Sequence, residues 1–250
     1  MSDRRREAPA KAAKAAGTGK TGANGSGNAA DGQAGPRSTK GAQTRARLLT
    51  AAKSVFEDTG FLDARISDIA EAAGLSHGSF YHYFDSKEQI FREIAEAQEA
   101  LLTAPAPKDQ EADAEDAGSG ASDASDEAEL SDYERILRSN RRYLERYRDN
   151  GKIMAVIEEV SRYDDHVNEV RLQRQKHFAS RSEASLRRLQ EDGRATADVD
   201  PEIAALALGS MVARVAELWL VEHWGDYDLD KIADQVTRLW ANAIGLPVDG

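Results

Sequence analysis

Cysteine is absent from the 250 residues, which excludes a disulfide scaffold and thiolate metal sites and fits a reducing cytoplasm. Strand signals are nearly absent too. No run alternates apolar and polar residues between turn residues, whereas i, i+3, i+4 spacing recurs from Leu48 to Ile244. This excludes a sheet-based fold and makes the class all-α. Arg4, Arg5 and Arg6 resemble the start of an export signal, yet no apolar stretch follows them. No run reads as long enough to span a membrane, so no membrane partner is expected and the expected location is cytoplasmic.

Large apolar residues are missing from two stretches. Residues 1–42 are filled with Ala, Gly, Lys, Arg, Ser and Asn, and bury too little surface to offset their ordering entropy. We expect a disordered basic tail there, with eight basic residues against three acidic ones, a net +5. Residues 104–130 have the same weakness and the opposite sign. Nine Asp and Glu face the single Lys108 between Lys108 and Glu129, with Gly118, Ser119 and Gly120 in the middle, as in a disordered, solvated acidic loop. The formal charge of −11 is therefore an average over regions of opposite sign.

What remains suffices for a small domain and a helical bundle. Thr44 is placed to cap a first helix carrying Leu48, Leu49, Ala52, Val55 and Phe56 on one face, with Gly60 ending it. Ile66, Ile69, Ala70 and Ala73 mark a short second helix. Gly74 permits a sharp turn, Leu75 plugs it, and Ser76 caps a third helix that points Phe80 and Phe84 inward. Ser86-Lys87-Glu88-Gln89 reads as a capping box opening a fourth helix through Ile90, Ile94 and Leu101. Ser131-Asp132-Tyr133-Glu134 reads as another, for a helix that Asn150 and Gly151 terminate. Ile153, Met154, Ile157 and Val160 mark the next, and a long polar helix follows from about Asp165 to Gln190. Asp200 before Pro201 is a strong start signal, since proline at the first helical position has no N–H to lose. The last two helices, Ile203 to Trp224 and Leu229 to Ile244, are the most apolar part of the chain.

Two short helices around a Gly-containing turn, Ile69 to Gly74 to Phe84, form the core of a helix-turn-helix. The pattern gains weight from its setting. Thr44-Arg45, Ala51-Ala52, Phe56, Gly60-Phe61, Ile69-Ala70, Ala73-Gly74-Leu75-Ser76, Gly78-Ser79-Phe80-Tyr81, Tyr83-Phe84 and Ser86-Lys87-Glu88 together resemble the N-terminal domain of the TetR, or tetracycline-repressor, family. The resemblance runs through about 47 ungapped residues. Beyond residue 92 only the order and length of helices are similar.

The resemblance implies a homodimer of all-helical subunits: a three-helix DNA-binding head over 43–92 and a helical ligand-binding and dimerisation domain over 93–246. The implied partners are double-stranded DNA and a small-molecule effector, and the implied action is repression relieved by that effector. Carried over by position, His77, Gly78, Ser79 and His82 face base edges, where imidazoles and hydroxyls meet purine N7 or O6. Thr44, Arg45, Tyr81, Tyr83 and Lys87 match positions that grip phosphate, which sets register and affinity. Arg65 stands where the family commonly has Thr or Ser before the buried aliphatic residue; it loses the hydroxyl cap and gains reach toward a phosphate. From Gln43 to Arg92 six basic residues face seven acidic ones, a weak charge for a DNA head. The basic tail is a source of the missing attraction, since each phosphate it neutralises releases counterions. Deleting residues 1 to 40 is then expected to flatten the salt dependence of DNA binding; an unchanged slope refutes this.

Tyr133, Ile136, Met154, Ile157, Phe178, Met211, Val215 and Trp219 are candidate pocket residues, with ordinary core packing as the competing reading. Arg214 and Glu217 interrupt an apolar helix, so either they satisfy each other at i, i+3 or Arg214 holds a ligand anion. Ala205 and Gly209 make the penultimate helix slim, and Leu218, Leu239 and Trp240 add bulk, as a four-helix dimer interface requires. An enzyme is disfavoured. His77, His82, His166, His177 and His223 make no i, i+4 metal pair, no Gly-rich phosphate loop follows a strand, and adjacent Glu158 and Glu159 face different directions. No catalytic residue, metal or cofactor is expected. The remaining alternative is an architectural DNA-binding protein, or one governed by a protein docking on the acidic loop.

Overall fold

The computed structural model describes residues 39–104 and 130–247. The expectations for the acidic loop and for most of the basic tail lie outside these residues. The described part is built of nine helices, without a strand among the described residues. They are α1 (Thr39–Asp63), α2 (Ile66–Ala72), α3 (His77–Phe80), α4 (Lys87–Thr103), α5 (Asp132–Asp149), α6 (Gly151–Val160), α7 (Asp165–Glu191), α8 (Pro201–Leu220) and α9 (Leu229–Ala243).

Local grammar accounts for most helix ends. Ser76 Oγ accepts the Ser79 amide, Asp200 the Ile203 amide, and Asp228 the Lys231 amide. Asp164 accepts both the His166 and Val167 amides at the start of α7. Ser131 and Glu134 form the reciprocal capping box in full. The box at Ser86 is half formed: its hydroxyl accepts the Gln89 amide, but the Gln89 side chain accepts from the Asp85 amide instead of that of Ser86. Gly60 (φ 75°) breaks α1 and Gly74 (φ 64°) turns the chain after α2, both in the left-handed region that side chains disfavour.

Two element boundaries and one buried position differ from expectation. α1 begins at Thr39, so Thr44 is no cap: it lies inside the helix and donates its hydroxyl to the Lys40 carbonyl, 2.9 Å away. α8 stops at Leu220 rather than Trp224, because His223 adopts φ 53° and the Trp224 amide folds back onto the Leu218 carbonyl at 3.0 Å. Near the end of α4 the buried residue is Leu102, and the expected Leu101 is exposed.

The head is α1 to α3 packed on the start of α4. Phe56, Phe61 and Phe91 pack ring against ring, with centroids 4.9 to 5.7 Å apart, and Phe80 and Phe84 close the other side. Each such ring, fully buried, contributes roughly 1.5–3 kcal/mol. Because Phe91 lies on α4, that helix belongs to the head at its start and to the body at its end. In the body α7 packs along α8, α9 along α5, and α4 along α7. The seam between α4 and α7 is polar: Arg92 forks onto Asp164, Glu96 meets His166 at 2.6 Å, and Glu99 meets Arg174 at 2.9 Å.

α8 is an exception to the absence of long apolar runs. It is long and apolar enough by composition to cross a membrane, with a mean hydropathy of 1.6 over a window that is 22% buried. The bundle covers Ala205, Leu208, Val212, Ala216 and Trp219, and leaves Ile203 and Leu206 on the surface.

Candidate DNA interface and ligand cavity

α3 is one turn of helix held from below. Phe80 and Phe84 are buried, and the residues between and before them face outward: His77, Gly78 and His82 are exposed and Ser79 is half-buried. The Ser79 hydroxyl lies 2.7 Å from that of Ser76, which orients it at the helix start. His77 packs edge-on against the exposed Tyr81 ring at 5.4 Å, and Tyr83 is half-buried. A Cβ added at Gly78 meets nothing within 4 Å, so the space above this residue is open. Three of the four expected base-reading residues are thus exposed and the fourth half-buried, and their hydroxyl and imidazole groups are of the kind that can meet base edges.

The expected phosphate-gripping residues are placed less uniformly. Arg65 and Tyr81 are exposed beside α3, with Arg65 at the start of α2 making no cap bond. Arg45 forks onto Glu93 of α4 with its guanidinium 4.7 Å above the Phe84 ring, so a phosphate must compete with Glu93 for it. Lys87 is turned inward. Its Nζ donates to the carbonyls of Phe61 (2.7 Å), Leu62 (3.2 Å) and Ala64 (3.0 Å), and sits 4.6 Å over the Phe61 ring. All three donors of an ammonium are thereby used, and they cap the carbonyl end of α1. Lys87→Met is thus expected to cost about 1.5–3 kcal/mol in urea unfolding, the range for hydrogen bonds to a charged group. Undiminished stability with a DNA salt slope smaller by about one would instead make Lys87 a phosphate contact.

Other head cations are also engaged: Arg47 donates to the Ala73 carbonyl, Lys53 pairs with Glu57 and Arg92 with Asp164. The weak charge balance read from the sequence is therefore weaker still at the head's surface.

In the body, α5, α7, α8 and α9 surround a cavity of about 540 Å³. Ile136, Phe178, Leu189, Val212 and Trp240 give it apolar walls, and Arg135, Arg181, Arg188 and Arg194 line it alongside Asp132 and Asp192. Of the expected pocket residues, Ile136 and Phe178 line this cavity. Met154, Ile157 and Trp219 are core, the Tyr133 hydroxyl donates to Asp234 at 2.9 Å, and Met211 and Val215 pack against the core without lining the cavity. Arg214 points outward and lies 2.7 Å from Glu217, the simpler of its two readings. Of the expected interface residues Leu239 is exposed and Leu218 half-buried, whereas Ala205, Gly209 and Trp240 line the cavity.

Two residues that sequence reasoning missed belong to the polar side of the cavity. Arg174 and Tyr143 both line it, both are buried, and Arg174 Nη1 and the Tyr143 hydroxyl have no hydrogen-bond partner. Burial pushes the Tyr143 hydroxyl up from the usual tyrosine value, so it stays protonated and is a donor. The signal was present in α4: Ala95, Glu99 and Leu102 follow i, i+4, i+7, which puts a carboxylate in an apolar stripe where it needs a buried cation.

Residues 48–94 match the family described as bacterial regulatory proteins of the tetR family, and residues 129–244 match the tetracyclin repressor-like C-terminal domain. The chain belongs to the TetR family of transcriptional regulators. Among curated relatives, it is 50% identical over 56 residues to the HTH-type transcriptional regulator YdgC of Bacillus subtilis, covering 22% of this chain and 29% of that one. It is 43% identical over 53 residues to an HTH-type transcriptional repressor of Mycolicibacterium smegmatis, covering 21% and 26%. These matches span less than a third of either relative. Among solved structures, the fatty acid degradation regulator FadR of Bacillus halodurans superposes with a TM-score of 0.58 at 20% identity, over 79% of this chain and 94% of that one. FadR of Bacillus subtilis, solved with stearoyl-CoA, gives 0.59 at 17% identity over 80% and 98%. At these identities the likeness concerns the fold.

Proposed function

We propose that this chain is a homodimeric, sequence-specific DNA-binding regulator, a repressor released from a palindromic site by a small molecule, acting in the cytoplasm and without catalytic activity. The observation that carries the reading is the exposure of His77, Gly78 and His82, with Ser79 half-buried, on α3 and the turn after it, above the buried Phe80 and Phe84. Such a helix enters the major groove, and a dimer presents two of them at one helical turn of DNA, about 34–36 Å, or a multiple of it. The repressor sign is supported by the Mycolicibacterium smegmatis relative, a transcriptional repressor. Regulation by a small molecule is favoured over control by a protein or a purely architectural role, because the body encloses a cavity of ligand size.

The dimer is supported by α8, whose Ile203 is 67% exposed and whose Leu206 and Ala207 lie on the same surface stripe; on the neighbouring α9, Leu239 is 58% exposed. An unpartnered apolar face of this kind marks a contact surface. Binding an effector in the cavity changes DNA affinity only if it favours one arrangement of the heads over another, and α4 is the element common to head and cavity wall.

Selection of genomic fragments by the purified chain at moderate salt tests the reading. Enrichment of a dyad-symmetric sequence is expected; enrichment of no sequence refutes it. A tail deletion made alongside must stop before α1, which begins at Thr39.

A further inference from the structure

We infer that the effector is an apolar molecule with a single acid group, and that this acid displaces Glu99 from Arg174 and so loosens α4 from α7. The inference rests on the effector reading above and specifies its chemistry.

Arg174 sits between two neighbours: the cavity on one side and Glu99 of α4 on the other. Its pair with Glu99 is close but poorly made. Arg174 Nη1 is 2.9 Å from Glu99 Oε2, yet neither that nitrogen nor either Glu99 oxygen stands in hydrogen-bonding alignment with any partner. A buried ion pair repays its desolvation only when hydrogen bonds complete it. The Tyr143 hydroxyl is unpartnered too, again at the cavity. A carboxylate entering there accepts from both Arg174 and Tyr143, and, being free to orient, it can meet the guanidinium fork in the alignment that Glu99, fixed on α4, does not reach. The walls of Ile136, Phe178, Leu189, Val212 and Trp240 take the apolar body. Arginines beside the cavity favour entry of an anion.

Glu99 is the group displaced. Arg174 and Arg171 of α7 and Tyr143 of α5 are the charged and titratable groups acting on it, and burial already holds its carboxyl above the usual range. Without Arg174 it takes a proton from solvent and remains buried as a neutral acid. The exchange removes the innermost of the three contacts, Arg92–Asp164, Glu96–His166 and Glu99–Arg174, that fasten α4 to α7.

Calorimetric titration of the full-length chain with decanoate and with decan-1-ol tests this. The acid is expected to bind at least about tenfold more tightly than the alcohol, a difference of 1.4 kcal/mol. Arg174→Gln abolishes that preference. Glu99→Gln removes the competitor and tightens decanoate severalfold without changing decanol, and decanoate speeds amide exchange in the second half of α4. Absence of decanoate binding, equal binding of acid and alcohol, or a Glu99→Gln chain that binds decanoate no better overturns the inference. Should Arg174→Gln fail to fold, the Glu99→Gln comparison decides alone. A chain that enriches a palindrome yet fails these titrations loses only the acid exchange; one that passes them but enriches no DNA loses the regulator reading.

Discussion

Ile203→Glu is expected to leave each subunit folded, to separate the dimer, and to weaken DNA binding by about 10²–10⁴, the gain that joining two binding modules supplies. Ile203 is 67% exposed, does not line the cavity, and stands in the first turn of α8, where Asp200 accepts its amide. Glutamate is favourable at that place, since it lies near the positive end of the helix dipole. The substitution therefore does not damage the bundle it belongs to. In a dimer joined through α8, however, it buries a carboxylate in an apolar contact, and across a two-fold axis it does so twice. Light scattering is expected to give a monomer mass with an unchanged thermal melt. A chain that remains dimeric would place the interface elsewhere.

Gly78→Ala is expected to weaken specific DNA binding by about tenfold or more, or 1.4 kcal/mol, while the melting temperature stays level or rises. The added methyl meets nothing within 4 Å in the protein, and alanine is the better helix former by about 1 kcal/mol. Any loss of affinity therefore reports what approaches from outside. If α3 lies in the groove with its backbone close to a base pair, the methyl pushes it away; His77 and Ser79 on either side lose their geometry as well. Fluorescence anisotropy with the selected fragment reads the affinity. Unchanged affinity would mean that this side of α3 does not face the groove.

How legible the molecule was depended on the range of the interactions. Asp200 before Pro201 and the Ser131–Glu134 box are complete within four residues, and both helices start where those residues indicate. The same grammar misleads where a second local solution exists: Thr44 has the composition of a cap, but the chain before it is helical back to Thr39. Lys87 illustrates a longer range, because only the fold brings the end of α1 to its ammonium. Arg174 was the hardest to read. It lies in a helix whose Arg, Gln and Lys content suggests solvent, and its partner Glu99 is 75 positions away. The outward face of α3 was readable, since Phe80 and Phe84 are four apart and define the inner side between them.

The most direct test of the account is a hydroxyl-radical footprint of the full-length chain on the genomic fragment it selects. Two protected patches related by a dyad are expected, on one face of the duplex, about one helical turn or a whole multiple of it apart. A single patch without a symmetric mate, or uniform protection along the fragment, would contradict it.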